Sequence, residues 1–382
     1  MKKGIDNQGL RLHNKYVCTC TQHLDESIHR GSRPSQGAYS EGMAVAVDVV
    51  QSTMNISEFA EKIGVSRATV WRAIYDQGRI SAETRDWVLE KAEVLGLKPS
   101  RAARALKTGR TQLVELWIPN LTRPFSGHIL AHVQSQLTAK EADMLVRAVG
   151  SLSASVPQLL RTSLWPVDGI IAVDPPEAAI RFYYESVGQT TPFVNMGCYY
   201  CENLDFVGLD VYAGATQAAK HLITDCGCRS MVYLVDEFSA RVGDARYDAV
   251  TQVTHQAGVP LDILTTKDAT SASALYRMTA HLEQGKRFDG LFCYNDLLAI
   301  GAQQALARAG GRVLDDVALV GFDGIEVTEF LQVPLTTVQL PILRMCAVAL
   351  EFLENRIADP SIPLQRSILK PKLAIRDSTQ RC

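Results

Sequence analysis

The chain has 382 residues, 47% hydrophobic and 21% charged, with a formal net charge of −2. That length predicts two or three domains with a sizeable core, and that balance excludes wholesale disorder. No apolar run reaches the roughly 18 residues of a membrane span, and no apolar stretch follows Met1-Lys2-Lys3 as a secretory signal would require. Nine cysteines in so long a chain make no disulfide framework; without an export signal they read as reduced thiols in a cytoplasm. The first 54 residues hold neither a helical nor a strand period and read as a disordered extension, with Met43 and Met54 as alternative starts.

Order is expected from Asn55. Asn55-Ile56-Ser57-Glu58 fits a capping box, and Ile56, Phe59, Ala60 and Ile63 share one helical face. Gly64-Val65 breaks that helix, and Ser66 caps a second with Val70 and Ile74 inward and Thr69 and Ala73 beside them. After Gly78, Ser81 starts a third helix, expected to bury Val88, Leu89, Ala92 and Leu95 and to stop at Gly96. Three short helices, the first two joined by a tight turn, are the helix-turn-helix arrangement.

Residues 98–110 follow, with cations at Lys98, Arg101, Arg104, Lys107 and Arg110 and no acid between them. Arg101 to Lys107 spans two turns at most, so this hinge helix needs a partner to order it; an interdomain linker is the plainer alternative. Residues 55–110 hold 11 Lys/Arg against 7 Asp/Glu, whereas 111–382 hold 22 against 29. A small basic segment joined to a large acidic one points to DNA phosphates as the partner of the small part.

From 111 onward apolar strand-like runs alternate with amphipathic helices, with strands expected at 112–118, 143–149, 168–173, 192–196, 230–235, 288–294 and 316–321. Val167-Asp168-Gly169-Ile170-Ile171-Ala172-Val173-Asp174 parallels Phe288-Asp289-Gly290-Leu291-Phe292-Cys293-Tyr294-Asn295-Asp296, the Asp-Gly pairs 121 positions apart. Two similar halves imply two lobes with a ligand cleft at the carboxyl ends of their strands. The reading is an all-α headpiece over 55–97, a hinge over 98–110, a two-lobed α/β domain over 111–376 and a tail over 377–382.

In order along the chain, Val65-Ser66-Arg67-Ala68-Thr69-Val70-Trp71-Arg72, Ile80-Ser81-Ala82-Glu83-Thr84-Arg85, Leu106, Tyr294-Asn295-Asp296, Val320-Gly321-Phe322-Asp323 and Pro334-Leu335-Thr336-Thr337-Val338 resemble LacI-type bacterial transcriptional regulators. The resemblance covers all but the first 54 residues. It implies a periplasmic-binding-protein-like (type I) sensor domain and a homodimer on a pseudo-palindromic operator, controlled by a small polar effector, a sugar or derivative. Arg67 and Ala68 would read bases, Arg67 by forking onto guanine, and Arg72 would read a base or hold a phosphate. Ser66, Thr69, Ser81 and Thr84 suit phosphate contact, with helix capping as their structural role. The hinge contacts would come from Arg101, Ala103, Leu106 and Lys107, Leu106 entering the minor groove. Phe125, Arg246, Asn295 and Asp323 would hold the effector, since a polyol needs carboxylate acceptors, an amide, a guanidinium and an aromatic face. Plainer readings are a surface arginine for Arg246 and a turn residue before Gly324 for Asp323. Trp71 and Tyr75 depart from the family's Ser and Asn, Asn120 to Ser126 from its Asp and Asn, and Gly197 stands where many relatives carry Asp.

No cofactor is expected. Cys198-x-x-Cys201, Cys226-x-Cys228 and Cys18-x-Cys20-x-x-His23 have zinc-like spacings without a second matching pair, so no metal is expected either. With no G-x-S-x-G and no glycine-rich phosphate loop, the chain does not read as an enzyme. The rivals are an α/β enzyme and a small-molecule binding protein without DNA function.

Overall fold

A computed structural model of the chain describes residues 54–75, 78–97, 105, 108–150, 166–187, 190–198, 202–310 and 316–380. The expected extension, apart from Met54, lies outside the described residues, as do Arg101, Ala103, Leu106 and Lys107. Contacts divide the chain into two compact units, one ending at Thr111 and the other beginning at Gln112.

In the first unit, α1 (Ile56–Lys62) starts with the expected capping box. The Asn55 side chain accepts from the Ser57 and Glu58 amides at 2.9 and 3.0 Å, and Glu58 reaches back to the Asn55 amide. Gly64 follows with φ of 73°, a turn conformation that a side chain would strain. Then come α2 (Arg67–Tyr75) and α3 (Ala82–Val94). Phe59, Ala60, Val70, Ala73, Val88, Ala92 and Leu97 form the core, with Ile56, Ile63, Ile74 and Leu95 at its edge. Leu89 corrects the sequence reading: it is 42% exposed. It lies about 100° round the helix from the fully buried Val88, and Leu97 closes the core from beyond the helix end.

The second unit holds two six-stranded sheets among its described residues. The first comprises β1 (Leu113–Ile118), β2 (Asp143–Ala148), β3 (Gly169–Val173), β4 (Phe193–Gly197), β5 (Asp205–Leu209) and β11 (Arg366–Leu369), in the order β11-β5-β4-β3-β1-β2. The second comprises β6 (Met231–Asp236), β7 (Leu261–Thr266), β8 (Gly290–Cys293), β9 (Ala318–Asp323), β10 (Thr336–Gln339) and β12 (Lys372–Ala374), in the order β12-β10-β9-β8-β6-β7. The described pairings are parallel except that of β10 with β12. Around them lie α4 (Pro124–Thr138), α5 (Glu177–Phe182), α6 (Val211–Lys220), α7 (Ala245–Ala257), α8 (Ser271–Glu283), α9 (Asp296–Arg308) and α10 (Ile342–Ala358). Strands β3, β4, β6, β8 and β9 are buried along nearly their whole length, as sheets covered on both faces require.

The repeated Asp-Gly pairs do the same work in both lobes. The Asp168 carboxylate accepts the Gln112 amide at 2.9 Å, and that of Asp289 accepts the Arg229 and Ser230 amides at 2.9 Å. Each therefore ties the start of its own strand, β3 or β8, to the start of the neighbouring β1 or β6. In each lobe the strand order reverses beside the first strand, β1 or β6, and opens a crevice at the carboxyl ends. The described chain passes between the sheets after β5, after β10 and between β11 and β12.

One boundary is corrected. Asp377–Thr379, assigned from sequence to a tail, is a short 3-10 turn with Ser378 and Thr379 buried. The Ser378 hydroxyl donates to the Leu319 carbonyl at 2.6 Å and accepts the Thr336 amide at 2.8 Å, so this segment belongs to the second lobe. Polar residues with no period gave no hint of a role served by hydroxyls bonding to distant strands.

Candidate DNA-binding and effector-binding sites

In the first unit, Ser66, Arg67, Ala68 and Arg72 are exposed on or beside α2. Arg67 Nη1 donates to the Ser57 hydroxyl of α1 at 3.2 Å, which leaves the other guanidinium donors free for a partner. Ser66 Oγ accepts the Thr69 amide at 3.0 Å and bonds its hydroxyl at 2.8 Å. Ser81 and Thr84 repeat the arrangement at 3.1 and 2.7 Å. All four hydroxyl residues thus serve helix starts. Trp71 and Tyr75 are buried one turn apart on α2 with ring centroids 4.1 Å apart, so they face inward rather than toward a phosphate.

The residues expected to hold an effector all follow the carboxyl ends of strands, Phe125 after β1, Arg246 after β6, Asn295 after β8 and Asp323 at the end of β9. Asp244 caps α7 by accepting the Arg246 and Tyr247 amides at 3.0 and 3.1 Å, which fixes Arg246 in the first turn. Arg246 is only 9% exposed. Its guanidinium carbon lies 4.0 Å from the Tyr294 ring centroid and 4.6 Å from that of Phe322. Nη1 donates to the Tyr294 carbonyl at 2.9 Å and lies 4.0 Å from the Asp323 carboxylate. Nη2 lies 3.9 Å from the Cys198 thiol, just past β4, so Arg246 joins the second lobe to the first. A buried arginine among rings and a carboxylate is no ordinary surface arginine.

Asp323 ends β9 with φ of 107°, a strained conformation for a side-chain-bearing residue. Burial pushes its carboxyl up to about 6, against the opposing pull of Arg246 and Arg123. Asp296, wholly buried in α9, accepts from Thr337 Oγ1 at 2.6 Å and from the Gly324 and Ile325 amides at 2.7 and 2.8 Å. These bonds fix the turn after Asp323. Burial, then the charge of Asp323, push the Asp296 carboxyl up to about 8, while its three donors act the other way.

Asn295 and Phe125 sit less freely. Asn295 Oδ1 caps α9 by accepting the Leu298 amide at 2.9 Å, and Nδ2 donates to the Ala269 carbonyl at 3.4 Å. Its amide is thus engaged at both ends. Phe125, in the first turn of α4, is half-buried against the core. The preceding loop is shaped by Asn120, whose side chain accepts the Thr122 amide at 2.8 Å and its hydroxyl at 2.7 Å.

Residues 219–379 match the family model of the periplasmic binding protein-like domain. A ribose operon repressor of Halalkalibacterium halodurans is 28% identical over 326 residues, covering 85% of this chain and 97% of that one. A LacI-family regulator structure from Silicibacter pomeroyi matches with a TM-score of 0.72 and 25% identity, over 86% of this chain and 100% of that one. The chain is a LacI-type transcriptional regulator. A further LacI-family structure, from Arthrobacter sp. FB24 and in complex with lactose, matches at 25% identity with a TM-score of 0.60, over 70% of this chain and 99% of that one. With a repressor among such relatives, the enzyme reading falls away.

For this LacI-type regulator the sequence reading gave no role to Cys198 and Tyr294, which meet Arg246, to Asp296, which bonds the turn after Asp323, or to Asp174, which accepts the Cys198 amide, and it met Arg123 and Gly197 only as departures from the family. The half-repeat held the signal for one of them. Asp174 follows Asp168 by six positions, as Asn295 follows Asp289. The cysteine spacings are differently employed: the Cys226 thiol donates to the Thr379 carbonyl at 3.4 Å and that of Cys228 to the Asp289 carbonyl at 3.3 Å. Cys201, Cys18, Cys20 and His23 lie outside the described residues. Among the described residues, no helix is long and apolar enough to cross a membrane.

Proposed function

We propose that this regulator binds a pseudo-palindromic operator as a homodimer and that a small sugar-like effector held between its lobes changes its affinity for DNA. The observation that carries the reading is Arg246, a buried guanidinium of the second lobe that faces Asp323 and touches Cys198 of the first. A ligand lodged there interacts with both lobes, and it shifts their arrangement by as much as its affinity differs between arrangements. The relatives named for ribose and solved with lactose support a sugar-like effector.

On the DNA side, Arg67, Ala68 and Arg72 read bases, while Ser66, Thr69, Ser81 and Thr84 add phosphate contacts to their capping bonds. Residues 98–110 form the hinge, with Arg101, Ala103 and Lys107 along the backbone and Leu106 in the minor groove; 55–97 form the headpiece and 1–54 an extension. One headpiece offers few base contacts, and two-fold pairing doubles them. On the effector side, Arg246 and Asp323 bond hydroxyls, Phe125 offers an apolar face and Asn295 positions the strand end. The protein acts in the bacterial cytoplasm, at the nucleoid.

The test is a thermal-shift screen of sugars, sugar acids and nucleobases on wild type and Asp323→Ala. The reading expects a sugar that stabilises wild type, stabilises the variant far less, and changes DNA affinity. A ligand that binds the variant undiminished refutes the site.

A further inference from the structure

We propose that Asp174 is the first lobe's effector-binding carboxylate, the counterpart of Asp323 in the second, and that the pair selects an uncharged polyhydroxylated ligand. The proposal rests on the effector reading above and adds a residue and a ligand class to it.

Sheet register carries the correspondence. Val173 pairs with Met196 in the first sheet, which sets Asp174 opposite Gly197. Phe292 pairs with Val320 in the second, which sets Asn295 opposite Asp323 three residues on. Asp174 and Asn295 hold the same place after their Asp-Gly pairs. Each lobe therefore ends two adjacent strands in one opposed pair, and each pair holds one carboxylate. In the second lobe it stands on the later strand, in the first on the earlier.

The backbone is specialised at the same points. Asp174, Gly197 and Asp323 have φ of 40°, 135° and 107°, in the region that side chains rarely adopt and that gathers at ligand sites. A Cβ at residue 197 would fall 2.3–2.6 Å from the carboxylate atoms of Asp174. The Asp174 carboxylate therefore fills the space that a side chain at 197 would occupy. Its Oδ1 accepts the Cys198 amide at 2.7 Å, and the Cys198 thiol is the group that meets Arg246. Asp174 is thus held beside the contact between the lobes.

Charge decides the ligand class. Asp174, Asp244 and Asp323 all act on the Cys198 thiol, and burial with their charges pushes it up while Arg246 pulls it down. Arg123 acts on Asp323. Among the described residues, three carboxyls stand against the buried guanidinium of Arg246 and the exposed one of Arg123, which leaves no surplus positive charge for a carboxylate or phosphate on the ligand. Ionised carboxylates only accept hydrogen bonds, and each can take several hydroxyls, so a neutral polyol satisfies the set.

The test is calorimetry on the full chain with D-ribose and lactose as neutral probes and D-gluconate and D-ribose 5-phosphate as charged ones. Variants are Asp174→Asn, which keeps an acceptor for the Cys198 amide, and Asp323→Asn. At least one neutral sugar is expected to bind wild type more tightly than either charged compound, and Asp174→Asn to weaken it by roughly 10- to 100-fold. The unliganded melting temperature of Asp174→Asn should match wild type, which separates lost binding from lost folding. If Asp323→Asn abolishes binding while Asp174→Asn stays within about twofold of wild type, the effector reading stands and the role of Asp174 is overturned. If a charged probe binds wild type as tightly as the best neutral one, the ligand class is overturned. If neither variant changes binding, or no probe binds, the proposal and the effector reading fall together.

Discussion

The two lobes share a topology and divide the chemistry unequally. Both order their strands with the first inside the second, and both tie strand starts with an aspartate ahead of a glycine. Yet the second lobe holds Arg246 against the Tyr294 carbonyl and Asp323, with Asp296 fixing the turn after Asp323 and Asn295 capping α9, while the first offers Asp174, Cys198 and Arg123. The family model begins at Ala219 and so covers mainly the second lobe. A covered parallel strand accepts almost any apolar residue, whereas a buried guanidinium demands particular partners.

The difference has measurable consequences, the largest in the second lobe. Arg246→Ala removes a buried charge that faces Asp323 and leaves the Tyr294 carbonyl without its donor. It should cost about 3–5 kcal/mol in urea unfolding, against less than about 1 kcal/mol for the half-buried Asp174→Asn. Equal costs would erase the contrast between the lobes. Ser378→Ala comes next, since it strips the Leu319 carbonyl and the Thr336 amide of a buried partner. A loss of about 1–3 kcal/mol by the same measurement is expected, and none if the segment is a tail.

On DNA, Arg67→Ala should lower discrimination between operator and random duplex by about 1–3 kcal/mol, whereas Lys107→Ala weakens both alike and reduces the salt slope. Equal losses on both duplexes for Arg67→Ala would refute its assignment as a base reader.

The pH dependence sharpens the comparison further. Asp323 and Asp296 titrate at about 6 and about 8 in the fold, above the ordinary 3.8, so the folded state keeps protons that the unfolded chain has lost. Their contribution to stability is fully present at acidic pH and is lost as pH rises, through about 6 for Asp323 and about 8 for Asp296. Relative to Asp296→Asn, wild type should therefore lose stability as pH rises from about 4 to about 8 and level off above, a slope visible in melting temperatures. The smallest effect belongs to the headpiece: Leu89→Ala should change stability by less than about 0.5 kcal/mol because the side chain faces solvent.

Much of this was legible in the chain. Capping residues and apolar periods set out α1 to α3, and β-rich apolar runs marked β1, β3, β6, β8 and β9, because buried strands read as continuous hydrophobic stretches. Strands β7 and β11 escaped notice because each is an edge, with two of six and two of four positions exposed, and β11 pairs with β5 across some 160 positions of chain. At the site, the resemblance to LacI-type regulators picked out Arg246, Asn295 and Asp323. Asp296 and Tyr294 were quoted in a motif without a role, since nothing in a sequence says which of two adjacent aspartate and asparagine residues turns inward. The half-repeat pointed to the place of Asp174, but its position opposite Gly197 depended on a register between strands that only the folded sheet supplies.

The central claim is that ligand in the cleft and DNA at the headpiece are energetically linked. Fluorescence anisotropy of a duplex selected by the protein from a random pool, titrated with and without a saturating cleft-binding sugar, measures that link directly. The account predicts an operator affinity at least about fivefold different with the sugar in wild type, and no difference in Asp323→Ala. An operator affinity indifferent to a sugar that demonstrably occupies the cleft would contradict it.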